Sequence, residues 1–89
     1  MYPEWLERRT TIEELEAKHS VRDDRLGSEP VPFGFMYKKW TRFTGQMQQG
    51  DELWEFAAPE KAWEHLAGRA GIALVRNGEI VDVIHTMIC

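Results

Sequence analysis

The side chains best suited to bind a metal ion or to act as a nucleophile are three histidines and a single cysteine. His85 and Cys89 lie four residues apart, in a stretch of β-branched and aliphatic residues that favours a strand. In a strand their Cα atoms are about 13 Å apart, at about 3.3 Å per residue, which is too far for one ion to bind both. His19 and His65 fall near predicted helix C-termini, where the helix dipole alone favours histidine. The sequence therefore predicts no metal site, no catalytic residues and no cofactor.

A carboxylate site is the second chemistry to consider, because acidic residues are frequent in the second half of the chain. They are Asp51, Glu52, Glu55, Glu60, Glu64 and Asp82. A general acid needs a carboxyl group in a partly dry cleft, which raises its pKa. Asp82 meets this condition, because Ile80 and Ile84 flank it on a predicted covered face. An ion pair with Arg69 or Arg76 is the simpler interpretation. A small enzyme or ligand-binding domain with a pocket near Asp82 and Arg69 is the alternative.

A basic helix face, formed by Lys38, Lys39 and Arg42, is the feature that best suits nucleic acid. Its three charges allow only a few phosphate contacts, and the neighbouring Trp40 and Phe43 lie on the apolar stripe of the same helix. The formal net charge of −4 also argues against binding to nucleic acid. A solvated helix face is the simpler interpretation, and a weak nucleic-acid binder is the alternative.

The helices that position these residues are predicted at about 3–19, 36–48 and 59–67. In the first, Thr11 and Glu14 form a capping box. In the second, Trp40 and Phe43 belong to an apolar stripe with helical spacing. The third begins at Pro59, where proline is tolerated. Between the first two helices, glycine and proline residues predict a long loop or linker at 20–35.

The strands are predicted at about 52–57, 70–76 and 79–88, in segments rich in aliphatic and aromatic residues. A helix of about ten residues returns the chain between the first two strands, which would make them roughly parallel. We therefore expect an α+β fold with a small three-stranded sheet packed by helices. The whole chain, 1–89, is expected to form a single domain.

The last two strands are predicted to form a β-hairpin. Asn77-Gly78 between them is the pair that a type I′ turn prefers, because both positions need φ > 0. A two-residue turn fixes the register, and it places Arg76 opposite Glu79, as an ion pair, and Leu74 opposite Val81. Both faces of this hairpin are largely apolar, which predicts a sheet covered on both sides.

Composition limits the cellular setting. The chain has 89 residues, of which 43% are hydrophobic, enough for one compact core. No apolar run approaches the roughly 20 residues of a membrane span, and the charged residues around Trp5 do not resemble a signal peptide. Cys89 is the single cysteine, so an internal disulfide is excluded. The sequence predicts a cytoplasmic protein without a membrane partner.

A resemblance is carried by residues 50–56 (GDELWEF), by Trp63, and by residues 66–78 (LAGRAGIALVRNG). Together they resemble a group of small uncharacterised bacterial proteins that share this pattern over about residues 50–88. The resemblance implies a bacterial, cytoplasmic origin and no known activity.

The glycines of this segment do not form a phosphate-binding loop. Gly68 and Gly71 follow a predicted helix, whereas the glycines of a phosphate loop precede one. A helix cap and a close backbone approach explain them better.

Four tryptophans are many for so small a core, and Trp54 lies on a short predicted strand. Aromatic surface or a free sheet edge recruits a protein partner or a second copy of the chain. The sequence therefore favours a protein-binding or regulatory module, with Trp54, Arg69 and Asp82 as candidate binding residues. The alternative for the tryptophans is a shared aromatic core.

Overall fold

The computed structural model describes residues 3–64 and 68–88. The elements along this part of the chain are β1 (Leu6–Thr10), α1 (Ile12–Lys18), β2 (Ser20–Val21), β3 (Val31–Pro32), α2 (Tyr37–Gly45), β4 (Glu52–Ala57), α3 (Glu60–Glu64), β5 (Arg69–Arg76) and β6 (Glu79–Ile88). The fold is α+β, as predicted. The chain forms two compact units. We call Met1–Thr10 together with Gln48–Cys89 the sheet unit, and Thr11–Met47 the inserted unit.

The sheet unit contains a four-stranded antiparallel sheet with the strand order β1-β4-β5-β6. The predicted three-stranded sheet with a parallel pair was therefore wrong. A parallel pair needs a crossover that carries the chain from one end of the sheet to the other. Here the connection that contains α3 returns to the end of the strand that it left, where the Ala58 N–H donates to the Arg69 carbonyl at 2.8 Å. β4 and β5 are consequently antiparallel neighbours.

Within the predicted helix 3–19, Pro3–Trp5 form a short 3₁₀ helix and Leu6–Thr10 form the strand β1, which pairs with β4. An ion pair of 3.1 Å between Arg8 Nε and Glu55 Oε2 joins the two strands. Sheet pairing thus outweighs a weak local preference for helix. The helix α1 begins only after Thr11, whose hydroxyl accepts a hydrogen bond from the Glu14 N–H at 3.2 Å. This N-cap was predicted and is confirmed.

The hairpin at Asn77-Gly78 is confirmed, with φ values of 53° and 79°. Next to the turn, β5 and β6 pair as predicted. Beyond that point Val81 is an additional residue in β6, so Leu74 lies opposite Asp82 instead of Val81. Such a β-bulge shifts every later pair. The sequence did not reveal it, because apolar residues on both faces of the hairpin fit either register. β6 lies at an edge of the sheet rather than in a covered centre.

The centre of the sheet unit is β5, in which residues 71–75 are all buried. Gly71 allows β5 and β6 to approach closely, because a Cβ atom at this position would overlap the carbonyl oxygen of Ile84. The close backbone approach expected at Gly71 is therefore confirmed. At Gly68 a Cβ atom would overlap the indole ring of Trp63 instead. The helix end predicted at 67 lies outside the described residues.

The inserted unit is organised around a stack of rings. The ring centroids of His19 and Phe33 are 4.7 Å apart, those of Phe33 and Trp40 are 4.1 Å apart, and Phe43 continues the stack at 6.1 Å from Trp40. Trp40 and Phe43 are buried on one side of α2, which confirms the predicted helix, although it ends three residues early at Gly45. The segment 20–35, predicted as a loop, contains the antiparallel pair of β2 and β3.

Candidate binding surface

Trp54 lies on one face of the sheet and is half-buried. Its indole N–H donates to Glu52 Oε1 at 2.9 Å. The apolar cluster that it covers consists of Phe56, Ala73 and Val75, and the side chains that share this cover are Trp5, Leu6, Ile80 and Val83. Trp54 therefore contributes mainly to the wall of a hydrophobic core.

Arg69 and Asp82, the other two candidate residues, do not share a site. Asp82 lies opposite Leu74, five residues along β5 from Arg69, which corresponds to about 17 Å at about 3.4 Å per residue. Both side chains are exposed. The covered position expected for Asp82 was wrong, because the bulge at Val81 moves Asp82 out of the predicted register. The two exposed side chains, about 17 Å apart along the strands, do not form the shared pocket that the enzyme alternative requires.

The two edges of the sheet are protected against pairing. In β6, the Oδ1 atom of Asp82 accepts a hydrogen bond from the Val83 N–H at 2.9 Å, beside the bulge at Val81. In β1 a second irregularity occurs between Leu6 and Arg8, and charged side chains follow it. Bulges, and side chains that occupy edge N–H groups, discourage a further strand from adding to a sheet. The free edge is thus a poor docking place.

The shortest and most buried of the ion pairs described in the sheet unit has a structural role. Arg76 lies opposite Glu79, as predicted, but its guanidinium donates two hydrogen bonds to Asp51, at 3.0 and 2.8 Å. The Asp51 side chain is only 2% exposed and also accepts the Gln48 N–H at 2.8 Å. The hydrogen bonds from Arg76, and then the one from Gln48, lower the pKa of Asp51. This pair fixes the chain where it enters β4.

The inserted unit contains an open groove with a volume of about 770 Å³. The residues that line it are Glu16, Leu26, Pro30, Val31, Pro32, Gly34, Phe35, Tyr37 and Lys38. Two aromatic side chains of this lining are strongly exposed, Phe35 at 66% and Tyr37 at 45%. The Arg25 guanidinium carbon lies 5.0 Å from the centroid of the Phe35 ring. The groove lining therefore combines aliphatic and proline side chains with exposed aromatic rings.

A turn with unusual backbone geometry places Phe35 in this groove. Phe33 and Gly34 are both in the left-handed region, with φ values of 61° and 54°. Phe33 is buried in the ring stack, and two residues later Phe35 is exposed. At Gly34 any other residue would bring its Cβ to 2.9 Å from Val21 Cβ. A left-handed phenylalanine is unfavourable by about 1–2 kcal/mol, so the surrounding packing has to hold it in place.

The charges around the groove are unevenly compensated. Glu16 is half-buried, and its Oε2 atom accepts the Trp40 indole N–H at 2.8 Å. The hydrogen bonds between Arg25 and Asp23 raise the pKa of Arg25 and lower that of Asp23, so both stay charged and balance each other. By contrast, Lys38 belongs to the exposed basic face of α2, a helix that contains no acidic residue. The groove lining therefore includes a cation, Lys38, that has no ion-pair partner within residues 3–64 and 68–88.

Sequence reasoning placed the aromatic surface at Trp54 and missed Phe35. A local signal exists in the order Phe33-Gly34-Phe35, because a tight turn at the glycine sends the two rings in opposite directions. Only one of them can then enter a small core. Tyr37, which directly precedes Lys38, was also not among the candidate binding residues.

Within residues 3–64 and 68–88, no group of three or more His, Cys, Asp or Glu side chains is arranged to hold a metal ion. Among the helices described, none has the length and apolar character needed to span a membrane. The resemblance to small bacterial proteins stays a prediction. Comparisons with protein-family models, with curated proteins and with solved structures found no match.

Proposed function

We propose that this protein is a small protein-binding module that takes a segment of its partner into the groove of the inserted unit. The observation that carries the proposal is the exposure of two aromatic rings, Phe35 and Tyr37, at the same groove. Aromatic side chains left outside a core are typical of binding surfaces, because they give much contact area with little loss of conformational entropy.

The size and openness of the groove favour a peptide segment. Sites for compact ligands usually enclose the ligand, with volumes of about 300–1,000 Å³. This groove has a volume in that range but is open to solvent. A chain segment can lie along such a surface and insert one or two side chains.

The strained turn supports a functional role for Phe35. A folded chain gains nothing in stability from a left-handed phenylalanine that leaves the following aromatic ring in water. Phe33 and Gly34 adopt this geometry, and the result is an exposed Phe35. A bound partner would bury the Phe35 ring, which the fold leaves exposed.

Between the two surfaces suggested by the sequence, the aromatic surface is therefore favoured over the sheet edge.

We also propose that the protein acts in the cytoplasm, because a chain with one cysteine has no internal disulfide that would need an oxidising compartment.

A selection of peptides tests the proposal. A library of random peptides would be selected against the full chain, and the recovered peptides would be measured by titration calorimetry. The Phe35→Ser/Tyr37→Ser double variant should bind them at least about tenfold more weakly, since aromatic anchors carry much of the affinity of an interface.

The matched control is Val81→Ser/Met87→Ser, which removes two exposed apolar side chains, 45% and 60% exposed, from the sheet unit. It should bind within about twofold of wild type, because these residues lie outside the groove. Circular dichroism would verify that both variants fold. If the selected peptides bind the two double variants equally well, or if none binds wild type, the proposal is rejected.

A further inference from the structure

We infer that the segment recognised by the groove is acidic, with an apolar anchor residue for the groove and carboxylates for the basic face of α2. This inference rests on the function proposed above, and it specifies the chemistry of the partner. The basic face consists of Lys38, Lys39 and Arg42.

The first observation is the set of uncompensated charges on α2. Lys38, Lys39 and Arg42 are exposed, and within residues 3–64 and 68–88 no ion pair involves their side chains. Lys38 and Arg42 are also four residues apart, a spacing at which like charges repel on a helix. Such a face is found here in a chain whose net charge is −4. An acidic partner would remove this repulsion.

The second observation is the position of Lys38, which belongs both to the basic face and to the lining of the groove. It stands one residue after the exposed Tyr37. A partner side chain that packs on Tyr37 therefore brings its sequence neighbours within reach of an ammonium group. Aliphatic and proline side chains also line the groove, and of these Leu26 and Val31 are half-buried. These side chains suit the apolar anchor.

The other charged side chains near the groove are consistent with an apolar anchor in the groove and carboxylates on α2. Glu16 lines the groove, but its carboxylate is held by the Trp40 indole N–H, on the side of the buried stack. Arg25, which lies over the Phe35 ring, is already neutralised by Asp23. The attraction for carboxylates thus comes from Lys38 and its neighbours on α2.

A single-stranded nucleic acid is the competing partner, because exposed aromatic rings beside cations can stack bases and bind phosphates. The groove argues against it. Four of its lining residues are aliphatic or proline, and the Glu16 carboxylate would repel a phosphate group that entered. An acidic peptide avoids this repulsion, because its apolar side chain enters the groove while its carboxylates stay outside, on α2.

Three fluorescent peptides of equal length would test the inference against the full chain by anisotropy. They share the same leucine and phenylalanine positions and differ only in the residues between them, which are Asp and Glu, or Asn and Gln, or Lys. At 50 mM salt the acidic peptide should bind about tenfold more tightly than the neutral one, and the difference should shrink at 500 mM salt, because salt screens exposed charges.

Charge reversal provides the matched control. Lys38→Glu should weaken binding of the acidic peptide about tenfold, because one attraction becomes a repulsion. Arg69→Glu changes the net charge equally, at an exposed position of the sheet unit, and should change the affinity less than about twofold. Equal losses in the two variants would mean an unspecific charge effect and would overturn the inference.

Two further outcomes would also overturn it. One is equal binding of the acidic and neutral peptides at 50 mM salt. The other is an oligothymidylate that binds more tightly than the acidic peptide and depends on Lys38. If the peptide selection yields uncharged sequences that need Phe35 and Tyr37, the acidic chemistry is wrong and the proposed function stands. If no selected peptide depends on these rings, both fail.

Discussion

Replacement of Gly71 by alanine should severely destabilise the sheet unit. In this part of β5 the added Cβ atom would overlap the Ile84 carbonyl oxygen, and it would lie 2.9 Å from His85 Cα and 3.0 Å from the Ile84 carbonyl carbon. All three atoms belong to the backbone of β6. No side-chain rotation can therefore relieve the contact, and the two strands would have to separate locally.

The size of the expected loss of stability depends on which atoms the added Cβ atom would overlap. Overpacking by a small group usually costs about 1–3 kcal/mol, and the upper end applies where rigid backbone must move. We expect a loss of about 3 kcal/mol for Gly71→Ala. A protein of this size has a free energy of unfolding of about 4–13 kcal/mol, and 1 kcal/mol shifts its Tm by about 4–8 °C. The Tm should accordingly fall by about 12–24 °C.

Urea denaturation followed by circular dichroism measures the loss, with Gly45→Ala as the control. Gly45 is the last residue of α2, and a Cβ built there meets open space among the described residues beyond its own helix turn. The same chemical change should raise the free energy of unfolding by about 0.4–1 kcal/mol, because alanine restricts the unfolded chain. If Gly71→Ala stays within about 0.5 kcal/mol of wild type, the close approach of β5 and β6 is refuted.

Three other predictions use the same urea measurement or a simple assay of association. Asp51→Asn should flatten the acid dependence of stability: Arg76 lowers the pKa of Asp51, so its contribution is complete above about pH 4 and is lost as the pH falls further. Gly34→Ala should cost more than Gly78→Ala. Both glycines have positive φ, a conformation that destabilises an alanine by about 1–2 kcal/mol. Of the two, only Gly34 also has a side-chain atom 2.9 Å from its Cβ position. Asp82→Ala should free an edge N–H of β6 and raise the dimer fraction in light scattering.

The parts of the fold that the sequence predicted correctly are those with local causes. α2 follows from the spacing of Trp40 and Phe43, and the hairpin follows from the φ requirements of Asn77 and Gly78. The strand β1 has no comparable local signal, because it is defined by pairing with β4, far away in sequence. Its charged residues also fit a helix surface, and only the partner strand decides between the two structures.

The binding surface was harder to predict for a related reason. Of the two nearby rings, Phe33 and Phe35, only Phe33 is buried in the core of the inserted unit. It stacks between His19 and Trp40, and Phe35 is left exposed. Both stacking partners come from other elements. The position of Asp82 was likewise decided by a bulge at Val81, which apolar patterning on both faces does not reveal.

The connectivity of the sheet gives a separate reason to look for function in the inserted unit. β1 and β4 are antiparallel neighbours, and Thr10 at the end of β1 lies opposite Leu53 near the start of β4. Two such strands can be joined by a turn of two residues. The chain instead places all of Thr11–Met47 at this connection. The pairing of the strands does not require so long a connection, and long connections in small domains commonly carry binding residues. The groove with Phe35 and Tyr37 lies within this segment, whereas the two edge strands of the sheet, β1 and β6, are protected against pairing.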